Sequence, residues 1–179
     1  MMSTSFESFE QMLTGGHPNS LGRTIEVVDL VLETPVKLSD LYNCYFSTDE
    51  VVRLRTSNAI KRISREKPEW LVPYIDKLIS EVSTIHQASA QWTIAELFQT
   101  LSIFMSETQR TNALKILKQN LETATDWIVL NNTMETLGEW AVTDSELKGW
   151  LLPHLNRLSG DSRKSVAGRA KKIDAKLHN

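Results

Sequence analysis

Two nine-residue segments placed 80 residues apart constrain this chain more than any other feature. Trp70–Leu78 reads WLVPYIDKL and Trp150–Leu158 reads WLLPHLNRL. Trp, the first Leu, Pro and the final Leu are identical. Val72/Leu152, Ile75/Leu155, Asp76/Asn156 and Lys77/Arg157 preserve size or hydrogen-bonding shape, and only Tyr74 against His154 changes the chemistry. Two periods of about 40 residues fit this interval, and a fixed period in that range is the signature of a repeat architecture. Pro35 lies 38 residues before Pro73, consistent with a further copy. Arg110–Lys118 (RTNALKILK) falls where the intervening copy belongs and keeps the helical pattern without Trp or Pro.

The partner segments repeat as well. An apolar stripe at i, i+4, i+7 and i+11, the spacing of one face of an α-helix, occurs five times. Its members are Leu21, Ile25, Val28, Leu32; Val52, Thr56, Ala59, Ile63; and Ala90, Ile94, Leu97, Leu101. Leu130, Met134, Leu137, Ala141 and Val166, Ala170, Ile173, Leu177 complete the set, with starts 31, 38, 40 and 36 residues apart. The pattern predicts ten helices in five antiparallel pairs. The first outer helix is expected over Ser5–Thr14 with Phe6, Phe9 and Leu13 as its apolar face, followed by the turn TGGHPNS. Later outer helices are expected over 36–46, 69–83, 108–122 and 145–159, and inner helices over 50–66, 88–105, 126–142 and 162–177. Asp49 stands where an N-cap belongs, and Pro68 and Pro73 stand where a helix can begin. No linker interrupts the chain, so one domain is expected over 1–179.

The stretch Asp49–Ile79 resembles a HEAT-type repeat of the armadillo-like α-solenoid superfamily. The resembling residues are the Asp49 turn, Val52-Arg53 opening the inner helix, Ala59 at its small packing position, and PEWLVPYIDKL as the outer helix. The resemblance implies an all-α, right-handed superhelix of about five helix pairs with a protein-binding surface. It also implies a ladder role for Asp49 and Arg53, a pattern that Asn131 and Ala167 at the Arg53 position and Ser89 before the third inner helix do not keep. In such an array each pair buries its faces against its neighbours. Glu7, Glu10 and Gln11 suit a polar cap at one end. Arg163, Lys164, Arg169, Lys171, Lys172 and Lys176 on the last helix read as a solvated cap whose cations also favour the helix dipole.

Composition narrows the function. The chain is 41% hydrophobic, 23% charged and formally −2, so it is neither a disordered tail nor a globally basic nucleic-acid binder. One cysteine leaves no intrachain disulfide and no Cys cluster for zinc. With no apolar run of membrane-spanning length and no basic-then-apolar leader pattern, a cytoplasmic location is expected. His17, His86, His154 and His178 are isolated, without a second ligand at helical spacing. There is no His-Glu dipeptide, the pair expected of metal-dependent hydroxylases built on the same solenoid. Gly15-Gly16 is a turn, not a phosphate loop, and Cys44 among Tyr42, Tyr45 and Phe46 reads as a buried structural thiol. No catalytic residue, metal or cofactor is expected.

The binding candidates come from the inner helices. Trp70 and Trp150 occupy equivalent positions and read as wedges between layers. Trp92 projects off its stripe together with Glu96 and Gln99, and the equivalent positions hold Leu54, Asn58, Lys61 and Arg65 in the second pair and Asn132, Thr136 and Glu139 in the fourth. With the inner helices on a concave side, these residues form a groove for a peptide, helix or protein partner. Trp92 is its anchor, or alternatively a packing residue against a neighbouring inner helix. The competing reading is nucleic-acid binding through Arg53, Arg55, Arg62 and Lys67, with Lys61 and Arg65 nearby and only Glu66 opposing. Against it, residues 96–146 hold eight acidic and three basic side chains, which repel a phosphate backbone.

Overall fold

The computed structural model describes residues 6–179; Ser5, the expected start of the first helix, lies outside the described residues. The described residues form α-helices and short 3-10 stretches, without a strand. The α-helices are α1 (Phe9–Leu13), α2 (Thr24–Glu33), α3 (Leu38–Asn43), α4 (Glu50–Glu66), α5 (Ile75–Ser80), α6 (Ala88–Leu101), α7 (Glu107–Thr123), α8 (Trp127–Ala141), α9 (Ser145–Ser159) and α10 (Lys164–His178). They cluster into two compact units, one ending at Leu71 and one running Val72–Asn179. Among the described residues, no helix is long and apolar enough to cross a membrane.

Side-chain caps set most of the starts. Ser8 and Gln11 form a reciprocal capping box on α1, and Ser106 and Gln109 do the same on α7. Asp49, Asp126 and Asp144 accept from the first-turn amides of α4, α8 and α9. Each satisfies donors that have no intrahelical partner. Four of the five stripes are buried in full: those beginning at Val52, Ala90, Leu130 and Val166. Burying each large aliphatic side chain contributes about 1.5–3 kcal/mol.

The fifth stripe is corrected by the structure. Leu21 and Ile25 are 39% and 42% exposed, while Thr24, Val27, Val28 and Val31 are buried. Gly22, with φ +51°, turns the chain immediately before α2, so Leu21 precedes the helix and the buried face takes a different register. The N-terminal face is corrected too. Ser8 caps α1 at Phe9, so Phe6 precedes the helix and is 96% exposed, and Met12 joins Phe9 and Leu13 in the core.

In the first unit α1 packs on α2, α3 and α4, and α2 packs on α4. In the second unit α6 packs on α8 and α8 on α10; α7 lies against α6 and α8, α9 lies against α8 and α10, and α5 lies against α7. Gly138 makes the α8–α10 approach close: a Cβ there would stand 2.7 Å from Ile173 Cγ2. The expected outer helix over 69–83 is instead a 3-10 stretch, Pro68–Tyr74, followed by the short α5 and a 3-10 turn over Val82–Thr84.

Candidate functional site

The second unit carries an open groove of about 310 Å³ between α6, α8 and α10, of which α6 packs on α8 and α8 on α10. Glu96, Gln99 and Thr100 line it from α6, Asn132 and Glu135 from α8, and Arg169 from α10. The register between α6 and α8 is held by polar side chains on α8. Asn132 Nδ2 donates to the Trp92 carbonyl at 3.3 Å, and Thr136 Oγ1 donates to the Ala95 carbonyl at 2.7 Å. These partners are 40 and 41 residues apart in sequence. A buried hydroxyl is tolerated on this face because a helix carbonyl accepts from it. The Asn132 bond also orients its amide, leaving Oδ1 as the acceptor end.

Charge on the groove is divided by element. α6 contributes Glu96 and α8 contributes Glu135, with Glu139 one turn beyond the lining, and neither helix contains Lys or Arg. The cations come from α10: Arg169 donates to the Glu135 carboxylate and Lys176 to that of Glu139. All four side chains retain substantial solvent exposure. Such pairs are held by geometry more than by energy, since exposed ion pairs contribute about 0–1 kcal/mol.

Of the expected binding residues, Glu96, Gln99 and Asn132 meet in this one groove. Glu139 lies one turn beyond Glu135, exposed and bonded to Lys176. Trp92 is half-buried, one turn before Glu96, and its backbone carbonyl carries the Asn132 bond. Lys61, half-buried, and Arg65, exposed, lie on α4 of the first unit. Sequence reasoning missed Thr100, Glu135 and Arg169. The signal that could have found them is the i, i+4 pair Glu135/Glu139 on a helix without cations, matched by cations at 169 and 176.

The basic segment does not form one exposed face. Arg55 is 2% exposed, and its guanidinium donates to four backbone carbonyls, one at the end of α1 and three in the loop that follows α1. The acceptors are Leu13 (2.7 Å), Gly15 (2.6 Å), Ser20 (3.1 Å) and His17 (3.2 Å). Loop carbonyls turned inward need donors, and a buried guanidinium needs acceptors, so the two requirements are met together. Gly15 and Gly16 (φ +77° and +74°) and Gly22 let the loop wrap this group; a Cβ at Gly22 would stand 2.9 Å from Arg55 Cζ. Arg53 and Arg62 are half-buried, and Arg53 donates to the Ser47 carbonyl at 2.7 Å. Arg65 and Lys67 are the exposed arginine and lysine of this stretch.

Other candidates are structural. Cys44 is buried, its Sγ donates to the Asp40 carbonyl, and burial pushes its thiol up to about 11, away from nucleophilic reactivity. His154 stacks on Trp150 with ring centroids 4.2 Å apart. Desolvation, then the Arg157 charge, hold its imidazole below the usual histidine value against the opposing pull of Glu122. Trp140 is buried under the Arg110 guanidinium, whose carbon lies 4.1 Å from the ring centroid. Among the described residues, no group of three His, Cys, Asp or Glu side chains is placed to hold a metal ion.

Fold and groove together describe an all-α protein of mutually packed helices with a polar cleft between three of them. A comparison with protein-family profiles finds no match, and comparisons with curated proteins and with solved structures likewise find none.

Proposed function

We propose that the chain is a HEAT-like α-solenoid of helix pairs, a cytoplasmic scaffold or adaptor whose function is to dock a segment of a partner protein. The groove on α6, α8 and α10 is the docking face. The single observation that carries this reading is that side chains from three helices of one row, α6, α8 and α10, converge there. The successive side-chain bonds from α8 to the α6 backbone, about 40 residues apart, support a repeating stack. The four fully buried stripes support it as well. A rigid polar cleft bordered by the half-buried Trp92 suits a peptide or helix better than a small substrate, because little apolar surface lines it. The basic stretch of α4 is a weaker candidate for nucleic acid, since Arg55 is committed to backbone carbonyls.

A photo-crosslinking residue at Gln99, with a control at the exposed outer position Lys115, tests the reading in source cells. A discrete adduct at Gln99 and none at Lys115 is expected. The captured protein, once purified, should bind the chain and lose about 2 kcal/mol of binding on Gln99→Arg, the scale of a lost central contact. Equal adducts at both positions, or binding indifferent to Gln99→Arg, would contradict the assignment.

A further inference from the structure

The fifth residue of the repeated nonapeptide is Tyr74 in the first copy and His154 in the second, so only the second copy gains a charge near neutral pH there. Tyr74 lies against Lys77, whose Nζ stands 5.7 Å from the ring centroid. A phenol offers its face to that cation and takes up no proton. His154 stacks on Trp150 with ring centroids 4.2 Å apart, and its side chain is 21% exposed. Trp150 also carries a cation of α7, with Lys118 Nζ 4.9 Å from its ring centroid. Arg157, one turn on from His154, donates to the Leu121 carbonyl at 3.4 Å. Glu122 Oε1 stands 3.9 Å from His154 Nε2, beyond hydrogen-bond reach. Imidazole, indole and the charges of Lys118, Glu122 and Arg157 thus meet at a seam between α7 and α9.

We propose that His154 is an acid-sensitive latch: its neutral ring holds Trp150 in place against Lys118 of α7, and protonation loosens the α7–α9 seam. A proton on the ring adds a third cation beside Lys118 and Arg157 and favours leaving the stack for water. Burial, then the Arg157 charge, hold the imidazole below its ordinary 6.5 against the pull of Glu122. α8 and α10 also pack on α9, but their Glu135, Glu139, Arg169 and Lys176 are bonded to one another. Arg157 and Glu122 are the charges that act on the imidazole. The folded value is the lower one, so the contribution of the neutral ring is full above 6.5. It is lost as pH falls from there through the folded value. His154, Trp150, Lys118 and Glu122 do not line the groove, and the latch does not rest on the docking reading.

NMR of the full chain from about pH 8 to about pH 5, the interval in which an imidazole changes charge, tests the latch. The ring signal missing from His154→Tyr identifies His154, which should titrate below the ordinary value. Amide exchange, corrected for its intrinsic pH dependence, should show residues 117–122 and 150–158 losing protection several-fold in the same step. In His154→Tyr, which copies the first nonapeptide, that loss should vanish. Glu122→Gln should move the step to lower pH and Arg157→Gln to higher pH, shifts that a packing role alone would not produce. A step that persists in His154→Tyr, or a ring that titrates at or above the ordinary value, overturns the proposal. So does a His154 titration that leaves protection at the seam unchanged. If His154→Tyr does not fold, a step that stays in place in both Glu122→Gln and Arg157→Gln overturns it as well.

Discussion

Arg55 of the first unit and Arg169 of the second are the same side chain put to opposite uses. Arg55 is enclosed, meets no carboxylate in its four hydrogen bonds, and organises the backbone of residues 13–20. Arg169 is substantially exposed, meets Glu135, and borders a cleft. A guanidinium that saturates backbone carbonyls is a structural strut, because removing it leaves several acceptors without donors. A guanidinium on one exposed carboxylate is exchangeable. The count of cations along a helix therefore says little about binding until their acceptors are known.

The largest expected effect breaks the strut. Arg55→Met should cost about 3 kcal/mol or more, since each hydrogen bond from a charged donor contributes about 1.5–3 kcal/mol. Chemical denaturation gives the loss, and amide exchange should show residues 13–22 opening first. Gly22→Ala should cost about 2 kcal/mol, combining a left-handed alanine with crowding of the guanidinium. If Gly22→Ala were neutral, the loop would not be wrapped around Arg55 as described. Arg169→Ala should move stability by no more than about 0.5 kcal/mol, as surface substitutions do. A loss as large as that of Arg55→Met would erase the comparison.

The smallest effect is on acid stability. Bonds from Thr14 and the Val51 amide hold the Asp49 carboxyl below its usual value. The folded value is therefore the lower one. Its contribution is present above the ordinary value of 3.8 and is lost as pH falls from there through the folded value. Asp49→Asn should flatten the stability curve slightly in that acid window and leave its slope near neutral pH unchanged. Denaturation midpoints across the pH range check both halves.

Helix content and four core stripes were legible because burial follows the 3.6-residue period directly. The repeated nonapeptide shows where legibility stopped. In both copies the first Leu (Leu71, Leu151), the sixth residue (Ile75, Leu155) and the last Leu (Leu78, Leu158) are buried, and both prolines are exposed. Yet the first copy is 3-10 through Tyr74, whereas the second lies inside the continuous α9. Upstream context decides this. Asp144 caps α9 a full turn and more before Trp150, so its helix is established when Pro153 removes one N–H. Pro68 stands only five residues before Pro73, and the turns between them are 3-10 and not α-helical. The same limit explains the groove. The period placed Glu96, Gln99 and Asn132 on one side, but Arg169 reached them through α8–α10 packing that no local pattern encodes. Arg55 was grouped with the basic segment because its acceptors are backbone carbonyls, which are invisible in a residue string.

Docking through the α6–α8–α10 groove and docking through the basic stretch of α4 place a partner on different residues. Amide NMR of the full chain, titrated with the purified protein captured by the Gln99 crosslink, separates the two. Shifts are expected to concentrate at residues 92–100, at 132–139 and around Arg169, with residues 53–67 of α4 unchanged. Shifts confined to residues 53–67, with the groove silent, would contradict it.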